Sequence, residues 1–325
     1  MSKKKIAILR GGPSSEFEVS LKTGKAILEA LQDDYDTLDI VIDKSGNWFS
    51  GGLQKEPQET LKGIEAVFNG LHGEYGEDGQ VQKLLEQMHV PYTGAKALAA
   101  SLSMQKDKAK EIYKQHGIKT PYSKVLSKPD TEEGLDIQAT LVFRNFPMPV
   151  VIKPAGKGSS IGVSIAKNFE DLRQTMKSVY EYSPKILIEE YIQGKEATVG
   201  IIEKMRNEKN YSLSPVEIRK PKQKELFDYE LKYSTDPNLC IDKVCPGCFS
   251  MAEIKELEDL AIKAHESLDL RHYSRSDFII TPRRGIYVLE TNALPGLTKE
   301  SLFPIGLQSR DIKYKDFLNH ILDLL

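Results

Sequence analysis

The 325-residue sequence has little of several features that mark particular protein classes. Its formal net charge is only −2, which gives no electrostatic case for binding nucleic acid or a membrane surface. The apolar run near its start, Ile6 to Leu9, is too short for a signal peptide and far too short to span a bilayer. No repeat or low-complexity tract stands out. These absences predict a cytoplasmic globular protein without a nucleic-acid or membrane partner.

Familiar motifs for metals, nucleotides and covalent catalysis are also missing. The three cysteines, Cys240, Cys245 and Cys248, could suggest zinc, but no second cysteine or histidine pair stands at suitable spacing, which favours incidental thiols. The first Gly-rich loop lacks the dinucleotide fingerprint G-x-G-x-x-G, and the Walker A order G-x-x-x-x-G-K-[ST] is absent. No Ser-His-Asp or Cys-His arrangement is evident.

What the sequence does contain is a strong hairpin pattern near its C-terminal end. Two apolar, β-branched runs flank the polar segment Thr281 to Gly285, which predicts a β-hairpin. Alternate side chains of a strand share a face. A turn centred on Arg283 and Arg284 predicts a register that pairs Thr281 with Ile286, Ile279 with Val288, Asp277 with Glu290 and Arg275 with Asn292. In this register the four polar side chains of the last two pairs lie on one face.

The two acids of this hairpin suggest a metal site. Directly opposed side chains lie about 5 Å apart at Cβ, and two carboxylates that close repel each other unless a cation lies between them. Asp277 and Glu290, with the amide oxygen of Asn292, form an all-oxygen ligand set that suits Mg²⁺ or Mn²⁺ rather than zinc. The alternative is a solvated hairpin, but Ile279 and Val288 are expected on the acids' face, which indicates at least half burial.

The first hundred residues alternate strand and helix signals, which predicts a parallel α/β domain over residues 1–100. Gly-rich loops follow two of its strands, at Arg10 to Glu16 and at Asn69 to Gly79. Ligands of open α/β sheets bind outside the carboxyl ends of the strands. Glu16 and His72 are therefore candidates for holding a small polar molecule.

The middle of the chain combines strands with a loop suited to phosphate. The loop Pro154 to Gly162 lies between two strands and is rich in backbone N–H groups, with one lysine and two hydroxyls; the alternative is an ordinary Gly-rich turn. A polar connection is expected over Ser127 to Thr140. The run Ile186 to Tyr191 predicts an edge strand whose backbone could face an adenine ring, with a nearby carboxylate for the ribose hydroxyls.

The remaining residues predict a loop and two helices around the hairpin. Pro221 to Cys245 has no glycine, few aliphatic residues and mixed charge, which predicts a long functional loop or lid. Ser250 and Glu253 form a capping-box pattern that opens a helix through about Leu268. A closing helix is expected over Lys313 to Leu325.

Four segments, in this order, carry a resemblance to a known family. They are G-G-x-S-x-E-x-E-V-S from Gly11, H-G-x-x-G-E-D-G ending at Gly79, K-P-x-x-x-G-S-S-x-G from Lys153 and E-x-N-x-x-P-G-L-T from Glu290. Together they resemble the ATP-grasp superfamily and, within it, the D-alanine–D-alanine ligases, over nearly the whole chain.

The resemblance implies a fold, substrates and an assembly. The N-terminal α/β domain, residues 1–100, would be a pre-ATP-grasp domain. A two-subdomain ATP-grasp fold would follow, with a central subdomain over 101–192 and a C-terminal subdomain over 193–325 that carries the lid loop and metal site. ATP would lie between these two α+β subdomains with two Mg²⁺ or Mn²⁺ ions, and the protein would be a homodimer that makes D-alanyl-D-alanine for peptidoglycan.

The resemblance also implies roles for individual residues, each by its match to a family position. The implied ATP contacts are Lys106, Lys153, Ser160 and Lys232 at the phosphates, Glu189, Glu190, Tyr191 and Ile192 at adenine, Glu196 at ribose, and Leu289 and Glu290. The implied metal ligands are again Asp277, Glu290 and Asn292. Because the sequence has Met104-Gln105-Lys106-Asp107-Lys108 where the family has M-D-K, Lys108 remains an alternative to Lys106.

The implied chemistry is formation of an acyl phosphate from the first D-alanine, followed by attack of the second amine. Glu16 and His72 would hold the first substrate, Ser301 and Leu302 the carboxylate of the second, Ser159 and Tyr233 would help to close the loop, and Arg275 with the N–H of Gly296 would stabilise the oxyanion. Tyr233 favours a dipeptide product. The alternatives are another second substrate, such as D-lactate or D-serine, and a catalytically silent nucleotide-binding relative.

Overall fold

The structure of the protein is a computed structural model, and it describes residues 3–156, 162–221 and 241–325. In these ranges the strands form three sheets, which follow one another along the chain. The first sheet is mostly parallel at its centre, whereas the second and third are antiparallel and carry helices. The predicted fold class, an α/β region followed by two α+β regions, is confirmed.

The first sheet contains five strands in the order β4-β3-β2-β1-β5. Its elements are β1 (Lys5–Gly11), α1 (Phe17–Leu31), β2 (Asp36–Ile42), β3 (Trp48–Ser50), β4 (Leu53–Gln54), α2 (Pro57–Thr60), β5 (Ala66–Asn69) and α3 (Gln80–Gln87). β1 is parallel to both β2 and β5, as predicted, while β3 and β4 add an antiparallel edge that the sequence analysis missed. Both Gly-rich loops leave the carboxyl ends of parallel strands.

The second sheet has four antiparallel strands in the order β6-β9-β7-β8. The elements of this part of the chain are α4 (Ala97–Met104), α5 (Lys106–Gln115), β6 (Ser123–Ser127), α6 (Glu132–Asn145), β7 (Val150–Pro154), β8 (Ser164–Ala166), α7 (Phe169–Tyr182) and β9 (Lys185–Glu190). Helices α6 and α7 pack on the sheet and share a core with it. Helices α4 and α5 instead contribute to the core of the third sheet.

Two sequence predictions for this sheet were wrong. The expected polar connection contains α6, whose N-cap Thr131 accepts a hydrogen bond from the backbone N–H of Gly134 and which buries Leu135, Ala139 and Val142 along one face. The exposed face of this helix also carries apolar residues, Ile137, Leu141 and Phe143, which hid its period. The expected edge strand, β9, lies inside the sheet between β6 and β7, because its apolar residues are buried on both faces.

The third sheet has the order β13-β12-β10-β14-β15, with β11 also paired to β10. Its elements are β10 (Lys195–Glu203), β11 (Asn210–Ser212), β12 (Val216–Arg219), β13 (Asp242–Val244), α8 (Met251–Ser267), β14 (Tyr273–Thr281), β15 (Gly285–Asn292), α9 (Leu302–Ser309) and α10 (Tyr314–Asp323). The capping box at Ser250 is formed as predicted. Most of the predicted lid, residues 222–240, lies outside the described residues, and its end forms β13.

The β14–β15 hairpin has the predicted register at the acids but not at its tip. Asp277 lies opposite Glu290, as expected. Near the turn, however, Thr281 lies opposite Gly285 and Phe278 opposite Val288, so Ile279 and Val288 do not share a face and Val288 packs in the core. The tip is a three-residue loop, and Gly285, which follows it as the first residue of β15, has φ +74°, a value that glycine adopts readily.

A bulge corrects the shift between the tip and the acids. The pairing moves by one residue between Asp277 and Phe278, which leaves Leu289 as the extra residue of β15. The shorter turn and the bulge therefore cancel. Asp277 and Glu290 remain directly opposed, although the turn predicted from the sequence was one residue too long.

A cluster of buried hydroxyls lies behind the acids. The Thr291 hydroxyl is 2.7 Å from the hydroxyl of Tyr113 on α5 and 2.8 Å from that of Ser276 on β14. Ser103, on α4, donates to the backbone carbonyl of Thr291. These bonds attach α4 and α5 to the back of the hairpin. They also give the buried hydroxyl of Ser276 a hydrogen-bond partner.

The first and third sheets meet at a short segment before β14. Arg271 donates to the backbone carbonyls of Tyr92 and Gly94, and His272 accepts a hydrogen bond from the Gly94 N–H at 3.1 Å. The backbone N–H of His272 donates to Glu203. Burial, with the charge of Arg271, lowers the pKa of His272 to about 4.

In the described part of the chain, no helix is both long and apolar enough to cross a membrane.

Thr291→Val tests the hydroxyl cluster. Valine keeps the shape of threonine but leaves the buried hydroxyls of Tyr113 and Ser276 without their shared partner, which costs about 1–3 kcal/mol. We expect the free energy of unfolding in urea to fall by that amount. Thr37→Val, at a half-buried strand position of the first sheet, should change it by less than about 0.5 kcal/mol. Equal losses in the two variants would contradict the structural role of the cluster.

His272 predicts a pH dependence of stability. Its pKa is about 4 in the folded protein and about 6.5 in an unfolded chain, so the unfolded state binds more protons between these values and stability falls as the pH drops through this range. The loss between pH 7 and pH 5 is about 2 kcal/mol. Asparagine tolerates the positive φ of this position and keeps a hydrogen-bond acceptor. The loss of stability between pH 7 and pH 5 should therefore be about 2 kcal/mol smaller in His272→Asn than in the wild-type protein.

Urea unfolding at the two pH values measures this difference. His89→Asn provides a matched control, because His89 also has a positive φ, +55°, but is exposed. This variant should keep the full decline of the wild-type protein. A His272→Asn variant whose stability falls as steeply as that of the wild type would show that His272 is not the group responsible.

Candidate active site

The acids' face of the β14–β15 hairpin carries an ordered set of polar side chains. Arg275 donates two hydrogen bonds, each of 3.0 Å, to the two carboxylate oxygens of Asp277. Thr198, on the neighbouring β10, donates to the same carboxylate at 2.5 Å, and the amide of Asn292 lies 3.3 Å from it. The Asp277 carboxylate is thereby fixed in orientation, and it fixes the Arg275 guanidinium in turn.

Glu290, opposite Asp277, is paired with a lysine from another element. The ammonium of Lys106, the first residue of α5, lies 3.1 Å from the Glu290 carboxylate. Burial disfavours the charge of Lys106, but the carboxylate of Glu290 raises its pKa, so this lysine is charged at neutral pH. Lys108 lies two residues further along the helix, is exposed, and pairs with Glu111. The structure therefore places Lys106, not Lys108, at the acids.

The acids' face has the donor chemistry of a divalent cation site. Asp277, Glu290 and Asn292 offer only oxygen ligands, on three neighbouring positions of two paired strands. The repulsion expected between the two carboxylates is offset by the side chains of Arg275 and Lys106. The set has two acids and one amide, and nowhere in the described residues is a group of three or more histidine, cysteine or acidic side chains arranged to hold a metal.

A second group of charges lies on the second sheet. The carboxylate of Glu189, on β9, is buried between two lysines: Lys153 on β7, at 2.6 Å, and Lys110 on α5, at 2.8 Å. Burial opposes ionisation of Glu189, but the two ammonium groups lower its pKa. Lys110 was missed by the sequence analysis. Its position one helical turn after Lys106, on the same side of α5, was the available signal.

The two Gly-rich loops of the first sheet meet beside these groups. The carboxylate of Glu16 reaches the loop backbone at Gly73, next to His72, and its charge acts on His72 and Glu77. The buried His72 bonds to Thr23 at 2.9 Å and to the backbone of Leu294. Burial disfavours the imidazolium, but the nearby Glu77 raises the pKa of His72. Glu16 and His72 are thus brought together, as the loop positions predicted.

The segment after β15 approaches the same loops. Ser301 precedes helix α9, and its hydroxyl is 2.7 Å from that of Thr298. A Cβ at Gly296 would lie 2.9 Å from the Ser301 hydroxyl, so the two residues are adjacent. The Leu302 side chain is buried against Val216 and Ile218. Only the backbone of Leu302 can therefore contact a substrate.

The residues expected around a nucleotide base lie at the end of β9 and on β10. Glu190 pairs with Arg284 of the hairpin turn at 2.9 Å, and the N–H of Tyr191 donates to Pro149. Ile192 is buried. On β10, Glu196 pairs with Lys220 at 2.7 Å.

The described candidate residues therefore lie in one region, between the second and third sheets and beneath the loops of the first. The charge of Lys106 interacts with Glu290, Glu189 and Glu77, each from a different sheet region, and this links the three groups. The predicted residues that lie outside the described ranges are Ser159, Ser160, Lys232 and Tyr233.

Family models match almost the whole chain. A model described as the D-ala D-ala ligase C-terminus matches residues 112–323, and one described as the D-ala D-ala ligase N-terminus matches residues 5–60 and 49–95. A D-alanine–D-alanine ligase of Geobacter sulfurreducens is 36% identical over 321 residues, 98% of this chain and 93% of that protein. One of Pelotomaculum thermopropionicum is 34% identical over 322 residues, 98% of this chain and 96% of that protein.

Solved structures agree with this assignment. The D-alanyl-alanine synthetase A of Vibrio cholerae is 26% identical and superposes with a TM-score of 0.86, covering 100% of this chain and 98% of its own. A D-Ala:D-Ser ligase of Enterococcus faecalis, 24% identical, has the same fold with a TM-score of 0.84 over 99% of both chains. The family models and the curated relatives independently lead to one conclusion. The chain belongs to the D-alanine–D-alanine ligase family.

Proposed function

We propose that this protein joins two D-alanines to D-alanyl-D-alanine, with hydrolysis of ATP to ADP and phosphate, for peptidoglycan precursor synthesis. The observation that carries the proposal is the paired hairpin face: Arg275 held by Asp277 and Lys106 held by Glu290, beside the loops of Glu16 and His72. Family membership and about 35% identity to D-alanine–D-alanine ligases along the chain support the same reaction.

ATP would bind between the second and third sheets. Lys106 and Lys153 are proposed as phosphate ligands, because they bring positive charge to one region. Ser160 and Lys232 are proposed as further phosphate ligands from the family resemblance alone. The adenine would lie at Glu189, Glu190, Tyr191 and Ile192, where β9 ends, with its ribose at Glu196 and with Leu289 on the opposite side. In this division, residues 1–100 bind substrate, and residues 101–192 and 193–325 grip the nucleotide.

The residues on the acids' face fit the metal ions that the family implies. Asp277, Glu290 and Asn292 would hold Mg²⁺ or Mn²⁺, two ions in all, since the set is composed of oxygen donors on adjacent positions. The ions would offset the negative charge that accumulates when a carboxylate approaches a triphosphate. Thr198 and Arg275 position the Asp277 carboxylate for this role.

In the first step, a carboxylate oxygen of one D-alanine bonds to the γ-phosphorus of ATP, and ADP leaves. Glu16 and His72 are proposed to hold this D-alanine, the acid by its ammonium group. Lys106 and Lys153 would bring the two anions together by charge, which is the main catalytic effect available in phosphoryl transfer. Ser159 and Tyr233 are proposed to close the site against water.

In the second step, the amine of the other D-alanine attacks the acyl phosphate, and phosphate leaves. Ser301 and the backbone of Leu302 are proposed to hold the carboxylate of this substrate, at the start of α9. Arg275 and the N–H of Gly296 would stabilise the tetrahedral oxyanion. Removal of one such donor typically costs about 3–4 kcal/mol in the transition state.

A homodimer in the cytoplasm is proposed from the family alone.

Substrate selectivity tests this function directly. We expect ADP release with D-alanine as the sole amino acid, and none with L-alanine. Glu16 would hold the ammonium group and the carboxylate must face the γ-phosphate, so the methyl group of L-alanine would take the position that the Cα hydrogen of D-alanine occupies. Mixtures of D-alanine with D-serine or D-lactate should give the D-alanine dipeptide as the main product by mass spectrometry at neutral pH. Depsipeptide as the main product would show that the second substrate is D-lactate and not D-alanine.

Glu290→Gln tests the role of the acids' face. The amide keeps the size of the side chain but loses the charge that pairs with Lys106 and that a divalent cation requires, so we expect kcat to fall by at least about a hundredfold. Circular dichroism should show an intact fold. Glu256→Gln, at an exposed position of α8, should keep the wild-type rate. A Glu290→Gln variant with normal activity would contradict the assigned role.

A further inference from the structure

Glu189 is a carboxylate that is almost completely removed from water, with only 3% of the residue exposed. It lies on an interior strand of the second sheet and has two cationic neighbours, Lys110 and Lys153, one at each oxygen. An isolated buried carboxylate would be strongly destabilising, so at least one of these lysines is required as a counter-ion. The proposed nucleotide contacts involve Lys153 but not Lys110.

The two lysines are held differently. Lys153 is at the end of β7, directly before the loop proposed to cover the phosphates. Lys110 is in the middle of α5, and its ammonium is also 2.7 Å from the hydroxyl of Thr120, which is itself buried. The helix that carries it packs in the core of the third sheet. Lys110 is thus fixed from two sides, whereas Lys153 lies at the edge of the proposed site.

Binding of a nucleotide would change the partners of Lys153. Phosphate oxygens that approach Lys153 share its ammonium with Glu189, whose carboxylate lies 2.6 Å away. The ammonium has three N–H donors but only one positive charge. If Lys153 were the sole counter-ion, this one charge would have to balance both the buried Glu189 carboxylate and the phosphate, and affinity for the nucleotide would fall. A second, permanent cation beside Glu189 removes this conflict.

We propose that Lys110 is a positioning residue for nucleotide binding, which acts as the permanent counter-ion of Glu189 and so allows Lys153 to contact phosphate. The inference rests on the proposed function, because it assumes that Lys153 binds the nucleotide. Lys110 itself does not contact the substrate. Burial lowers the pKa of Lys110 to about 8, so the side chain still carries its charge at neutral pH.

A double-mutant cycle on the whole protein tests this role. Lys110→Met, Glu189→Gln and the double variant are compared with the wild type by calorimetric titration with the non-hydrolysable ATP analogue AMP-PNP and Mg²⁺. We expect Lys110→Met alone to weaken binding at least about tenfold, which corresponds to about 1.4 kcal/mol. In the Glu189→Gln background the same substitution should weaken binding less than about threefold, because no carboxylate is left to neutralise.

Two controls separate this role from simpler ones. Lys114→Met removes an exposed lysine one turn further along α5 and should leave the affinity unchanged. Thermal unfolding should show a lower midpoint for Lys110→Met and a recovery in the double variant, as a charge pair predicts. A lysine that bound phosphate directly, or that only packed, would give the same loss in both backgrounds.

The possible results are therefore distinct. A similar loss of affinity on Lys110→Met with and without Glu189→Gln would overturn the counter-ion role, and so would an unchanged affinity on Lys110→Met alone. Failure of the wild-type protein itself to bind the analogue would instead contradict the proposed function, and this inference with it.

Discussion

The site depends on the pairing of buried or half-buried carboxylates with basic side chains, most of them supplied by other elements. Asp277 is held by Arg275, Glu290 by Lys106, and Glu189 by Lys110 and Lys153. Of the three, Glu189 is fully buried, and breaking a buried pair of this kind costs about 3–5 kcal/mol. Because Lys106 and Lys110 both come from α5, this one helix joins the charges of the third sheet to those of the second. The packing of α5 is therefore a condition for the geometry of the site.

The sequence predicted the centre of the site better than its surroundings. Alternation of apolar residues and a polar turn were enough to oppose Asp277 and Glu290, since side chains of a strand repeat every two residues. The details were wrong, because the turn is shorter than expected and a bulge at Leu289 restores the pairing. A bulge depends on the packing of both faces of the sheet, and a single strand sequence does not reveal it. Asp277 and Glu290 are opposed because a shorter turn and a bulge cancel, and neither of these two features was predicted from the sequence.

Other features could not be predicted because they depend on contacts between distant segments. The spacing from Lys106 indicates which side of α5 Lys110 faces, but not that it lies against Glu189, 79 residues away, until the sheet order is known. The interior position of β9 likewise follows from its neighbours, not from its own residues. By contrast, α6 was missed although its local signals, the Thr131 cap and the buried positions four and three residues apart, were present.

The charge balance of the region gives a physical reason for its arrangement. Four basic side chains, Lys106, Lys110, Lys153 and Arg275, are paired with three carboxylates of the second and third sheets. Glu16 and Glu77, on the loops of the first sheet, add negative charge nearby, so a polyanion would be attracted by the placement of the cations and not by an excess of positive charge. Every cation is already in contact with a carboxylate, which keeps each one ordered and limits the reorganisation needed when a ligand binds. A polyanion would then replace part of these internal pairs rather than create new ones. This exchange works only where an acid that loses one partner retains another, and Glu189, with two lysines, meets that condition.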